Sequence, residues 1–345
     1  MYWSAQSQTA QNEAMRLRHL LLTGLVTLGC SALAAQQAPT AKPVATAKPV
    51  GPTSQAAAPP APVAAAQASK PSIEISPPRE KDSVRFGILG DTGTGDRRQF
   101  EVGAQMTKAM EIFPFEFVIM LGDNIYGSER PQDFVKKFEK PYEGILSQKI
   151  PFYASLGNHD DPTQRYYKPF NMNGERFYTF KKGDARFFAL DSNYMDQPQL
   201  KWIEEQLSRA NDRWKIAFFH HPLYSSGARH GSEIDLRTRL EPLFVKYGMD
   251  IVFAGHEHFY ERIVPQKGIY YFTQGGSAKL REGNIRTNSA LTAKGFDVDN
   301  VFMVAELDKD SMQFQVVSRT GKRVDSGSVP LMPEPKQAED KSRSQ

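Results

Sequence analysis

Five short apolar runs between residues 84 and 254 each end where metal-binding side chains begin. The runs at 84–89, 117–121, 152–156, 216–219 and 251–254 lead into Gly90-Asp91-Thr92-Gly93, Gly122-Asp123-Asn124-Ile125-Tyr126, Gly157-Asn158-His159-Asp160, Phe219-His220-His221-Pro222 and Gly255-His256-Glu257-His258. Runs this apolar fit strands covered on both faces. Segments 98–110, 133–146, 198–210 and 234–247 lie between them and read as amphipathic helices, with Leu200, Ile203 and Leu207 at helical spacing. Strand and helix in alternation predict an α/β sheet with helices outside. A hairpin is expected at 177–180 and 186–190, and another at 301–307 and 312–317, with a short last strand after it. Both are expected to extend a second sheet. The fold class is then α/β, with two stacked mixed sheets flanked by helices in a four-layer αββα sandwich.

The chain of 345 residues is 40% hydrophobic, enough for one large core. Its formal charge of +4 is spread without a long basic run, so nucleic acid is not an expected partner. Arg16 and Arg18 precede an apolar run from Leu20 to Ala35, and Ala32-Leu33-Ala34 resembles a signal-peptidase site. Residues 1–34 read as a signal peptide, from Met1 or Met15, with export to the periplasm or cell exterior. Acylation of Cys30, the one cysteine, is the alternative. The mature form is expected to carry no transmembrane segment, because the run is shorter than the roughly 20 residues a span needs. Residues 35–82, rich in Ala and Pro, read as a disordered tether. Residues 83–330 read as the single functional domain, and 331–345 as a flexible tail.

Ligands of open α/β sheets bind beyond the carboxyl ends of strands, where all five blocks fall. Glycine before Asp91, Asp123, Asn158 and His256 lets backbone approach the site closely. A lone Asp or Asn there is an ordinary turn former, and a lone His is an ordinary core residue. Jointly they read differently. Six of the seven histidines lie between 159 and 258, five of them within blocks that share a strand-end setting with Asp91 and Asp123. That combination is metal chemistry.

In this order the blocks resemble the signature of the purple acid phosphatases, within the calcineurin-like metallophosphoesterase superfamily. That family carries Gly-Asp-x-Gly, Gly-Asp-x-x-Tyr, Gly-Asn-His-Asp/Glu, a strand ending in His, and Gly-His-x-His. The likeness covers 83–330. Plant-type members have an extra N-terminal β domain where this chain has only the tether, so it is the smaller, mammalian-type architecture that is matched. The resemblance implies that Asp91, Asp123, Tyr126 and His258 hold Fe(III). It implies that Asp123, Asn158, His220 and His256 hold a divalent ion, Fe(II), Zn(II) or Mn(II), with Asp123 bridging. Most calcineurin-like enzymes have a His two positions after the first Asp; Gly93 stands there, and Tyr126 fills the vacancy. A phenolate, with a free pKa of about 10, calls for a strongly polarising ion. His220 rather than His221 is chosen because the family's ligand is followed by one variable residue and then Pro.

The implied activity is that of a secreted acid phosphatase acting on small phosphorylated substrates, with metal-bound hydroxide attacking phosphorus directly. His159 and His230 are the candidate phosphate contacts and proton donors. Asp160 is a candidate to orient His159 or to cap a helix. A phosphodiesterase or nucleotidase on the same binuclear centre is the alternative. A non-enzymatic binding module would have lost ligands, and none is lost.

Overall fold

The structure, a computed structural model, describes residues 73–331. The expected signal peptide, most of the tether and the tail beyond Leu331 lie outside the described residues. Two mixed sheets form the centre. The first has strands β1 (Val84–Leu89), β2 (Phe117–Leu121), β3 (Phe152–Ser155), β11 (Val301–Leu307), β12 (Ser311–Ser318) and β13 (Arg323–Pro330), in the order β13-β12-β11-β1-β2-β3. The second has β4 (Tyr178–Lys182), β5 (Ala185–Ala189), β6 (Trp214–Phe219), β7 (Ile251–Ala254), β8 (Tyr260–Ile263), β9 (Tyr270–Gln274) and β10 (Thr292–Phe296), in the order β10-β8-β9-β7-β6-β5-β4.

The apolar runs alternate between two cores. In β2, Phe117, Ile119 and Leu121 face the second sheet, while Val118 and Met120 face Val102 and Met106 of helix Arg97–Ile112. In β6, Trp214, Ile216 and Phe218 point inward, while Ala217 and Phe219 pack against Leu240 and Phe244 of helix Ile234–Lys246. Both faces of the central strands are buried, so the expected four layers are present. Phe86 stacks on Phe117 at 5.3 Å, with Phe187 edge-on to both, across the gap between sheets. Side-chain caps set the helix starts: Asp96 accepts from Gln99 N, and Asp196 accepts from Gln199 N at the head of helix Gln197–Arg209.

Four expectations need correction. Residues 133–146 do not form one helix. They break into Pro131–Phe134, a wider turn at Val135–Glu139 and Glu143–Leu146, because Pro141 has no N–H to donate and collides with the preceding turn. The two hairpins extend different sheets: β4–β5 closes one edge of the second, while β11 pairs antiparallel with β1 in the first. The last strand, β13, is long rather than short. Residues 73–82, read as tether, are part of the packed chain: Ile73 and Ile75 lie against the first sheet's outer core, and Glu74 N–H donates to Gly321 O at 2.7 Å. Buried Glu306 holds the same stretch, accepting from Arg79 N, Glu80 N and Ser83 Oγ. Gly321 sits in the turn between β12 and β13. By register (Ile88 with Met303, Val301 with Ser318) that turn is level with the carboxyl end of β1.

Candidate metal centre

Strands β1, β2 and β3 run parallel in one sheet, and β5, β6, β7 and β9 in the other. The loops after β1, β2, β3, β6 and β7 meet between the sheets and bring all seven expected donors together. Asp91, Asp123 and His258 offer ligand atoms within 4.8 Å of one another. The Tyr126 hydroxyl donates to Asp91 Oδ1 at 3.0 Å and lies 3.3 Å from His258 Nε2. Beside this group, Asn158 Oδ1 is 2.9 Å from His220 Nε2 and 3.0 Å from His256 Nδ1. Asp123 Oδ1 lies 3.4 Å from His220 Nε2, between the two groups.

The backbone is forced to make this convergence. Asp91, Asp123 and His256 all have positive φ (55°, 50° and 67°), a region costly for side-chain-bearing residues. The preceding glycines are there for space. A Cβ on Gly157 would come within 2.2 Å of the Asp123 carboxylate, and one on Gly122 within 2.7 Å of His220 Nδ1.

The donors fit a bound cation. His220 Nδ1–H donates to Leu121 O at 2.9 Å, so Nε2 carries a lone pair. That lone pair faces Asn158 Oδ1 and Asp123 Oδ1. Three acceptors therefore meet with no hydrogen between them, which is repulsive unless a cation sits among them. The first group tells the same story. Burial and the Asp123 charge push the Asp91 carboxyl well above its usual range, and burial with both carboxylates pushes the Tyr126 phenol up. Only a strongly polarising ion would hold that phenol as phenolate. Asp91, Asp123 and His220 are buried, while Asn158 is exposed, so the second group is open on one side.

The surrounding histidines divide. The His159 ring lies 5.0 Å from that of Tyr126, and its N–H donates to Asp123 Oδ1 at 3.0 Å. His230, exposed on the loop before helix Ile234–Lys246, lies 4.4 Å ring to ring from His256. The two proton-donor candidates thus flank different halves of the cluster. Asp160 neither orients His159 nor caps a helix. It accepts from Gly157 N, Asn124 N, Ile125 N and Gln164 Nε2 at 2.8–3.1 Å, stapling the second block to the third. Burial and Asp123 push its carboxyl up to about 8, and those donors pull against the shift.

Other groups surround the donors, and Glu257 among them was not read from the sequence. His221 offers a ligand atom within 4.8 Å of those of His220 and His256, and Nδ1 lies 2.8 Å from Ser192 Oγ. Glu257, between two donors, is buried and accepts from Gly231 N and Asn284 Nδ2 at 2.7 and 2.9 Å. Gly275 lines the site: a Cβ there would come within 2.8 Å of Asp91 Oδ2. Ser277 Oγ accepts from Gly90 N at 3.1 Å.

The sequence model described as calcineurin-like phosphoesterase matches residues 84–260. The chain belongs to the calcineurin-like phosphoesterase family. Within it, the chain is 24% identical to tartrate-resistant acid phosphatase type 5 of Rattus norvegicus, over 73% of this chain and 92% of that protein. It is 29% identical to Fe(3+)-Zn(2+) purple acid phosphatase 12 of Arabidopsis thaliana, over 56% of this chain and 47% of the relative. Purple acid phosphatase PPD1 from yellow lupin superposes with a TM-score of 0.61 at 20% identity, over 73% of this chain and 54% of that one, which supports the fold. The purple acid phosphatase resemblance is thereby borne out, and the donor cluster of this phosphoesterase suits a binuclear metal centre.

Acid should not strip that centre easily. A free imidazole takes a proton below about pH 6.5. Burial and Arg281 hold His258 down to about 4, and burial with neighbouring histidines pushes His220 and His256 down as well. At these imidazoles, folded-state values below the free value mean that protons compete with the cation only below the usual imidazole range. Elemental analysis after desalting should find metal retained from pH 7.5 to 5 and lost toward 4. Loss already at pH 6 would overturn this.

Proposed function

We propose that the chain is an exported phosphomonoesterase of the purple acid phosphatase type, acting on small phosphorylated molecules. The observation that carries this reading is the meeting of His220 Nε2, Asn158 Oδ1 and Asp123 Oδ1 beside a tyrosine hydroxyl that itself touches Asp91. Asp91, Asp123, Tyr126 and His258 would hold Fe(III). Asp123, Asn158, His220 and His256 would hold Fe(II), Zn(II) or Mn(II). A relative named for Fe(3+) and Zn(2+) supports that pairing. Two such cations, when bound, supply Lewis acidity toward phosphoryl oxygens and make water a better nucleophile.

The protein's own groups do the rest. Asp123 sits between the halves and ties them to one geometry. His159 donates its N–H to that carboxylate and presents its ring to solvent beside Tyr126, where it contacts the phosphoryl group. His230, beside His256, gives a proton to the departing alkoxide. Burial, Arg281 and Arg229 hold His230 below the ordinary imidazole range. Attack by water is direct, without a phosphoenzyme. Among the described residues, no helix is long and apolar enough to cross a membrane.

The test is turnover of p-nitrophenyl phosphate against bis-p-nitrophenyl phosphate by the metal-loaded chain. A higher kcat/KM for the monoester supports the reading, and preference for the diester replaces it with a phosphodiesterase. His230→Ala should slow alkyl phosphates about tenfold or more beyond any effect on nitrophenyl phosphate, because nitrophenolate leaves without a proton. Equal slowing would assign His230 to binding.

A further inference from the structure

We propose that the cleft beside Asn158 and His221 takes the alcohol part of the ester and selects alcohols that carry a primary ammonium group. The proposal rests on the phosphatase reading above and adds the class of substrate. The cleft has a volume of about 400 Å³ and opens at the second half of the donor cluster, with Tyr194 and Leu236 in its walls. Glu233, also in the wall, follows His230 on the loop before helix Ile234–Lys246 and stands close enough to act on the His230 charge. An alcohol that takes its proton from His230 therefore lies beside this carboxylate.

Two acceptors in the walls are uncommitted. Asn193 donates its amide hydrogens to Leu156 O and Gly157 O, both at 3.2 Å. Those bonds fix the amide and leave its Oδ1 buried without a donor. Glu233 heads its helix, yet its side chain caps nothing and, among the described residues, makes no hydrogen bond or ion pair. It is half-buried, so water compensates its charge only in part. The other carboxylates of the cleft are engaged: Asp191 pairs with Arg176 at 2.8 Å, and Asp160 accepts from Gly157 N and Asn124 N. A buried acceptor and an unpaired carboxylate in one cleft suit a positive group with several donors, which is an ammonium. The exposed Tyr194 ring offers that cation a π-face. The opposite flank turns it away. Lys279 and Arg281 stand there beside the first half, their N–H groups donating to Asp91 O at 3.2 Å and His258 O at 2.9 Å. In the reaction, water adds to phosphorus and the ester P–O bond breaks. The amino alcohol leaves with the bonding pair and the His230 proton, which the attacking water replaces. One water is consumed, and amino alcohol and phosphate are released.

The experiment measures kcat and KM for O-phosphoethanolamine, O-phosphocholine, propyl phosphate and p-nitrophenyl phosphate with the metal-loaded full chain and its Glu233→Gln variant. KM for phosphoethanolamine should lie about tenfold or more below that for propyl phosphate, as expected for charge-assisted contacts. Phosphocholine, whose ammonium has no N–H, should lose most of that advantage, and an equal KM would overturn selection by hydrogen bonds. In Glu233→Gln the ratio of kcat/KM for phosphoethanolamine to that for propyl phosphate should fall about tenfold, through KM. Comparing the ratio between wild type and variant cancels the different basicity of the two leaving groups. An unchanged ratio would overturn the subsite. Wild-type protein that hydrolyses nitrophenyl phosphate without favouring phosphoethanolamine over propyl phosphate sinks this inference alone. Failure on every substrate sinks the phosphatase reading.

Discussion

Asp123→Ala should empty both halves of the donor cluster and lower kcat by at least about a thousandfold, or about 4 kcal/mol of transition-state stabilisation. On the proposed ligand set, Asp123 alone is shared. Its Oδ1 lies 3.4 Å from His220 Nε2, and its carboxylate is grouped with the Asp91 carboxylate and the His258 imidazole. Every other donor belongs to one half, so removing one of those should spare the opposite cation. The metal-free variant is informative too. The Asp123 charge is one of the causes that raise the buried Asp91 carboxyl, so its removal relieves a repulsion. Metal-free Asp123→Ala should therefore melt no lower than metal-free wild type. Elemental analysis with a thermal melt checks both statements. Near-normal metal content would end the idea that this carboxylate bridges.

Tyr126→Phe should abolish the visible charge-transfer band of the iron-loaded protein. The substitution removes one oxygen and leaves the ring, which lies under the Lys279 ammonium and 5.0 Å from the His159 ring. Packing should survive, so a lost band reports lost phenolate rather than lost fold. Phenolate favours the oxidised over the reduced ion, because a hard anionic oxygen suits the higher charge. The variant's iron should therefore reduce more readily with ascorbate. An absorption band that persists at full iron content would move the colour to another ligand and remove the case for Fe(III) in that half.

Much of this was legible in the chain because strand ends carry their own punctuation. Apolar runs terminated by Gly-Asp, Gly-Asn and Gly-His marked both the sheets and the candidate donors, while the choice of His220, whose Nε2 faces Asn158 and Asp123, came from the family resemblance. What escaped was set by tertiary context. β10 has no apolar alternation, and β8 hides a buried Glu261 that accepts from Ser226 N at 3.0 Å. Glu257 looks like a spacer between two histidines, and only the folded loops reveal what it fastens. Lys279 and Arg281 lie in a stretch without periodicity, and their place at the mouth follows from backbone bonds to Asp91 and His258. Asp160 resembled a cap because caps and staples use the same acceptor.

The bond from Glu74 to Gly321 brings the start of the described chain alongside the β12–β13 turn, level with the end of β1 that presents Asp91. A leash attached upstream of residue 73 would thus grip the molecule by its working end. Grafted to a surface through that leash, the enzyme would hold its mouth toward the support and graze on whatever phosphate collects there.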